Sequence, residues 1–286
     1  MSGEVPASYY SWDPLEYNHK PSPQTMLRVK KDIAEFRASP PAGIFISPEE
    51  SNVTRIHILM VGSTGTPYEG GFFHFLLHCP PDYPLSPPRM RFMTTDAGRV
   101  RFNVNLYNSG KVCVSTIKTA PGPGWSPALG LVNVLVSIRS LMSEHPYFSG
   151  FQQENEPGDS DKYDDFIRHE TLRVAVCDQV EAALKDDPNC PPAFRNLILD
   201  SFLESYSRYE DIAKSRLQLS GTEMKDAYSF SSPGTFQMEA LLTRLKILRE
   251  EVEKKNQAAA AEAAAQAATR DAAEVTTHGD DDGMYT

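Results

Sequence analysis

Residues 79–89 read CPPDYPLSPPR, placing five prolines in a single connection. Each proline fixes its own φ, removes a backbone donor and restricts the residue before it. The stretch can be neither helix nor inner strand and must be a stiff surface loop between two elements. Before it runs Gly71 to His78, GFFHFLLH, nearly continuous in apolar side chains and of strand length. After it, Arg89-Met90-Arg91-Phe92-Met93 alternates with period two, the pattern of a half-buried strand. Tyr83-Pro84 is an aromatic–proline bond suited to a cis peptide. Leu85, at the tip, is expected to stand exposed as an apolar contact for a partner.

Two further strand-like runs lie upstream, Ile44 to Ile46 and Thr54 to Val61, with Gly62, Gly65 and Pro67 as punctuation. Four such runs in succession predict an antiparallel meander. A helix is expected ahead of it, MLRVKKDIAEFRAS, with Met26, Leu27, Ile33 and Phe36 on the buried face. Its other face carries Arg28, Lys30, Lys31 and Arg37, either simply solvated or available to an acidic partner. Pro40-Pro41-Ala42-Gly43 ends that helix. Downstream, Ser126-Pro127 leads into ALGLVNVLVSIRSLMSEH, where Leu131, Leu135, Ile138 and Met142 recur at helical spacing as core residues. The fold class is α+β.

Composition changes near Gly150. Of the prolines, seventeen precede residue 150 and five follow it. Residues 1–150 hold thirteen Lys/Arg against eleven Asp/Glu, whereas residues 151–286 hold fifteen against twenty-seven. An acidic chain with no basic stripe is a poor nucleic-acid binder. No apolar stretch reaches membrane-spanning length and no signal peptide is apparent, so no membrane partner is expected. Cys79, Cys113, Cys177 and Cys190 show neither metal spacing nor a disulfide framework. The expectation is a monomer with reduced thiols in the cytosol or nucleus, without metal or cofactor.

The second half reads as amphipathic helices. DFIRHETLRVAVCDQVEAAL aligns Phe166, Leu172, Val176 and Val180. AFRNLILDSFLESYSRYEDIAKSRL follows. FQMEALLTRLKILREEVEKK then aligns Met238, Leu241, Leu245, Leu248 and Val252 at a/d spacing, too briefly for a coiled coil. The predicted organisation is an arm over 1–22 rich in Tyr9, Tyr10, Trp12 and Tyr17, a main domain over 23–150, a helical extension over 151–255, and an Ala-rich then acidic tail over 256–286. The tail could prolong the last helix before it becomes disordered.

The chemistry-bearing stretch is Arg101 to Pro127, RFNVNLYNSGKVCVSTIKTAPGPGWSP. Cys113 follows a polar turn in a short extended segment flanked by loops, where a second macromolecule can reach its thiol. Only the thiolate is a good nucleophile, and a lone cysteine is equally readable as a small buried hydrophobe.

The order of elements and four motifs tip that balance. Tyr68-Glu69-Gly70-Gly71, Tyr83-Pro84-x-x-Pro87-Pro88, Cys113, and Trp125-Ser126-Pro127-Ala128 together resemble the catalytic domain of ubiquitin-conjugating enzymes over residues 25–150. The long second half and Asn103-Val104-Asn105 resemble the large members of that family. The resemblance implies the ubiquitin-conjugating catalytic fold: an N-terminal helix, a four-stranded antiparallel meander and C-terminal helices, here with a helical extension.

It also implies that Cys113 accepts ubiquitin or a ubiquitin-like protein as a thioester from an activating enzyme, then passes it to a substrate lysine or a ligase. The family usually has His-Pro-Asn where this chain has Asn103-Val104-Asn105, so the Asn, eight residues before the nucleophile, is kept while the turn-shaping pair is replaced. Asn105 is readable as an oxyanion donor, as a tie for its own loop, or as both. By position, Arg28, Lys30 and Lys31 match the activating-enzyme surface, and Leu85, Pro127 and Ala128 the loops gripped by RING-type ligases; transfer through HECT-type ligases is implied as well. Ser149 falls near the active-site mouth, and Trp125 is expected to be a loop anchor. Two rivals are a non-catalytic binding or scaffold relative and a cysteine hydrolase using His74, His78 or His145 as base.

Overall fold

The computed structural model describes residues 12–16, 20–229 and 233–277. Tyr9, Tyr10 and Tyr17 of the expected arm, and the acidic end of the tail, lie outside the described residues. Helix α1 spans Pro23–Ala38. Ser22 caps it by accepting the Thr25 N–H at 3.1 Å, and Pro23 supplies the preset φ of a first helical turn. Its buried face is Thr25, Val29, Asp32, Ile33 and Phe36. Met26 and Leu27, expected inside, face solvent, Leu27 at 70 % exposure. The helix begins a turn earlier than its apolar run, and Val29, at i−4 from Ile33, occupies the inner stripe instead.

Strands β1 (Ile44–Pro48), β2 (Arg55–Val61), β3 (Phe72–His78) and β4 (Arg89–Phe92) form one antiparallel sheet in sequential order, the predicted meander. The proline loop joins β3 to β4, and its Tyr83-Pro84 bond is cis. Helix α2, Leu131–Arg139, is shorter than its apolar pattern, with Leu131, Leu135, Ile138 and also Met142 buried as expected.

Every residue of β3 is buried, so the sheet is covered on both faces. One face packs Phe73 and Phe75 against Phe92, and Phe73 also against Tyr68 and Phe102. On the other, His74 meets the edge of Phe194 from the extension. The extension supplies part of this second cover, and the turn Pro14–Glu16 also packs against β3. Helices α3 (Asp159–Glu170) and α4 (Gln179–Leu184) are joined without a break by a π-helical segment, Thr171–Asp178, which packs against β3. Helix α5, Pro192–Lys214, follows, and helix α6, Met238–Thr277, packs along α5, α4 and the π segment.

The buried residues of both halves belong to one continuous cluster, which runs across the shift in composition near Gly150. The boundary drawn between 255 and 256 falls inside α6, which runs on to Thr277. Residues 256–266 are exposed all round, and their alanines keep the helix going by intrinsic propensity where packing has ended.

Candidate active site

The site grows out of a short hairpin beside β4. Phe102, Leu106 and Val112 are fully buried, and bridges pair Asn103 with Leu106 and Leu106 with Val112. Because side chains alternate along extended backbone, anchoring Val112 and Val114 inward turns Cys113 outward. The Cys113 N–H donates to the Asn105 carbonyl at 2.9 Å, which locks the two candidate catalytic residues side by side on the hairpin. The thiol donates to the Thr119 carbonyl at 3.1 Å. Thr119 also accepts the Val114 N–H on its hydroxyl at 2.9 Å and thus closes the loop that follows the cysteine.

Cys113 is partly exposed, whereas Cys79, Cys177 and Cys190 are buried. Burial raises the Cys79 and Cys190 thiols and pushes Cys177 up to about 12. Those three are held as thiols away from solvent, and the accessible sulfur is Cys113.

Asn103 sits under the turn rather than at its mouth, fully buried. Its Oδ1 accepts the Asn105 N–H at 2.9 Å. Its Nδ2 donates to the Leu141 carbonyl at 3.0 Å, to the Tyr68 hydroxyl at 3.3 Å and to Ser149 Oγ at 3.4 Å. Tyr68 in turn donates to the Phe102 carbonyl at 2.7 Å. The chain of bonds from Ser149 through Asn103 and Asn105 to Cys113 gives this turn its order without the family's usual pair. Val104 contributes its carbonyl, which accepts from Arg101. The main chain of Asn105 does the tying, while its side-chain amide carries no hydrogen bond among the described residues.

The candidate partner surfaces divide differently from the sequence expectation. Arg28 is largely committed to structure: it pairs with Asp32 at 2.9 Å and donates to the carbonyls of Pro127 and Leu129 at 2.9 and 2.7 Å. It thereby fastens α1 to the loop after Trp125. Lys30 and Lys31 are exposed, Lys31 facing Glu35 at 3.6 Å, and Leu27 stands beside them as an apolar contact that the burial pattern concealed. Leu85 is 71 % exposed, and Pro127 and Ala128 are exposed as well. Trp125 is the buried pin between these loops. It donates its indole N–H to the Pro84 carbonyl at 2.7 Å and packs on the Tyr83 ring.

A hydrolase would need a positioned base, and no imidazole is hydrogen-bonded to Cys113 among the described residues. His74 bonds to His57 at 3.0 Å within the sheet, and burial, followed by the His57 charge, lowers it to about 3. His78, lowered to about 4 mainly by burial, is on the same strand, and His145 is exposed beside Phe148. Sequence reasoning passed over Thr119, Leu27, Arg101 and Tyr228. Only Arg101, two residues before the Asn turn, carried a local signal.

A helix leading a four-stranded meander, with an outward cysteine locked to an Asn turn, is the arrangement of a ubiquitin-conjugating catalytic domain. The family described as ubiquitin-conjugating enzyme matches residues 28–166. Ubiquitin-conjugating enzyme E2 Z of Danio rerio is 47% identical over 251 residues, covering 86% of this chain and 75% of that protein. The Homo sapiens protein of the same description is 47% identical over 247 residues, covering 84% of this chain and 68% of its own length. A solved ubiquitin conjugating enzyme E2 from Plasmodium falciparum aligns with a TM-score of 0.37 and 25% identity over 41% of this chain and 96% of that one. The chain belongs to the ubiquitin-conjugating enzyme family. Its likeness to the E2 Z proteins runs through the extension as well as the catalytic domain.

Proposed function

We propose that Cys113 carries ubiquitin or a ubiquitin-like protein as a thioester between an activating enzyme and an acceptor. In loading, the Cys113 thiolate attacks the carbonyl carbon of the activating enzyme's thioester. A new C–S bond forms, the old one breaks, and the upstream cysteine leaves as its thiolate. In discharge, a lysine amine or a ligase thiolate attacks the same carbon and Cys113 departs. An amine acceptor sheds one proton to solvent. Transfer from one thiol to another exchanges like bonds and is close to isoenergetic, whereas transfer to an amine forms the more stable amide and runs downhill. The covalent intermediate divides the overall acyl transfer into two easier steps.

What carries this reading is the accessibility of Cys113 beside the uncommitted Asn105 amide, set against three buried thiols. Asn105 has the role of donor to the oxyanion that develops on the carbonyl. A single donor of this kind is worth roughly a hundred- to a thousandfold in rate. Lys30, Lys31 and Leu27 form the surface offered to the activating enzyme, with Arg28 supporting it from behind. Leu85, Pro127 and Ala128 form the surface offered to RING-type ligases, and Cys113 itself meets a HECT-type ligase. A retained, outward cysteine argues against a purely non-catalytic relative. Incubation with activating enzyme, ATP and modifier should give an adduct that reducing agent removes. No adduct with any activating enzyme and modifier pair would overturn the reading.

A further inference from the structure

The Arg101 guanidinium is held between two tyrosine rings. Its central carbon lies 4.1 Å from the centre of the Tyr107 ring and 5.5 Å from that of Tyr228. Three of its five N–H donors go to main-chain carbonyls. Nε reaches Asn103 at 3.2 Å, one terminal nitrogen reaches Val104, and the other reaches Tyr228 at 3.5 Å. One side chain thus grips both carbonyls that precede Asn105 and also a residue of the extension. An arginine suits this because its fork is planar and stacks on rings while donating in plane.

Tyr228 is itself fixed. Its hydroxyl donates to the Tyr147 carbonyl at 2.6 Å, and its ring stacks on Phe151 at 5.0 Å and meets Tyr163 edge-on at 5.3 Å. Gly150 lies against the ring so closely that an added Cβ would stand 2.8 Å from it. The segment bearing Tyr228 is an excursion between the last helices. Met224 N–H donates to Gly234 at 2.8 Å and Phe236 N–H to Thr222 at 3.0 Å, closing it at its base. The extension therefore brings a segment braced at its base to the turn that carries Asn105.

We propose that Arg101 and Tyr228 are a positioning pair through which the extension sets the pose of the Asn105 amide during discharge of Cys113. The inference rests on the thioester reading above. Asn103 holds the turn from beneath and Arg101 holds it from the flank, so the amide projects from a turn fixed on two sides. In loading, a second protein stands at the reacting carbon. Discharge to a free amine has only this chain to orient the donor, and displacement on the ångström scale there costs up to about a hundredfold. Neither residue touches the reacting atoms; both act through Asn105.

The test is a single-turnover double-mutant cycle in the full chain, with loading and discharge to free lysine measured separately. Tyr228→Ala and Arg101→Lys should each slow discharge by about tenfold, at least five times more than they slow loading. Tyr228→Phe keeps the ring and should recover most of the rate. In the Asn105→Ala background, Tyr228→Ala should slow discharge by less than about twofold, because the group it positions is gone. Equal slowing of loading and discharge, or full additivity with Asn105→Ala, overturns the inference. If Tyr228→Ala does not fold, the Arg101→Lys arm of the cycle decides alone by the same criteria. A wild-type chain that forms no adduct overturns the thioester reading and this inference together. A wild-type chain that loads, with variants that discharge normally, overturns this inference only.

Discussion

The Tyr209 hydroxyl on α5 donates to the Gly70 carbonyl at 2.9 Å, across 139 residues of sequence. A Cβ on Gly70 would stand 2.5 Å from the Tyr209 ring, and one on Gly71 would stand 2.8 Å from Thr171 of the π segment. The glycine pair that marks the catalytic domain in sequence is therefore also the seat of the extension.

Tyr209→Ala should accordingly destabilise the whole chain by about 3 kcal/mol, as loss of a buried aromatic does. Tyr209→Phe should cost about 1 kcal/mol for the one hydrogen bond. Urea denaturation measures both. A chain ending near Gly150 loses the extension's part of the cover over the β3 face that carries His74 and should aggregate or melt far below the full protein. A chain ending at residue 255 gives up no buried residue among 256–266 and should match it to within about 0.5 kcal/mol.

Strand positions and most of the core were legible because each depends on local periodicity: GFFHFLLH and RMRFM read as strands, and Met238 through Val252 read as one buried stripe. Met26 and Leu27 misled, because apolar character does not say which stripe of a short helix faces in when Ser22 starts that helix a turn earlier. The Cys113 and Asn105 pairing was visible in their eight-residue spacing. The Arg101–Tyr228 contact was not, since nothing local to Tyr228 marks a partner 127 residues upstream. The role of Asn103 was hidden for a related reason: replacing the expected residue reads as a loss until its four bonds are seen.

Asn103→Ala removes all four of those bonds from a fully buried position. The unpaired Leu141 carbonyl and Asn105 N–H should cost about 2–3 kcal/mol in urea unfolding. Discharge should slow more than loading. Stability unchanged within error would show that the network carries little of the turn's order.

Acid should destabilise the protein through His74. Its folded pKa, about 3, lies below the ordinary value of 6.5, so the unfolded chain binds the proton first. The stabilising contribution is complete above pH 6.5 and is lost as pH falls toward 3. Between pH 7 and pH 5 the loss from this group is about 2 kcal/mol. Asp164, raised to about 6 by burial, acts in the opposite sense, so the wild-type curve alone does not isolate the effect. His74→Gln should lose less stability than wild type over that interval, and equal losses would contradict the assignment.

Trp125→Phe keeps a ring on Tyr83 but removes the donor to the Pro84 carbonyl. It should leave loading close to wild type while weakening stimulation by a RING-type ligase several-fold. Leu85→Ala should change stability by no more than about 0.5 kcal/mol, because the side chain is largely exposed. It should lower ligase stimulation just as Trp125→Phe does. A ligase that stimulates both variants fully would place its contact elsewhere.

The most direct measurement is the site and bond type of the adduct formed with activating enzyme, ATP and modifier. On a non-reducing gel the wild type should show one adduct that thiol reagents remove, and peptide mapping should place it at Cys113. Cys113→Ala should form none while unfolding at the wild-type temperature, and Cys113→Ser should give an ester that survives thiol reagents. Replacing Cys79, Cys177 and Cys190 should leave the adduct in place wherever the variant folds. A thiol-sensitive adduct that persists in Cys113→Ala, or maps to another cysteine, would contradict the account.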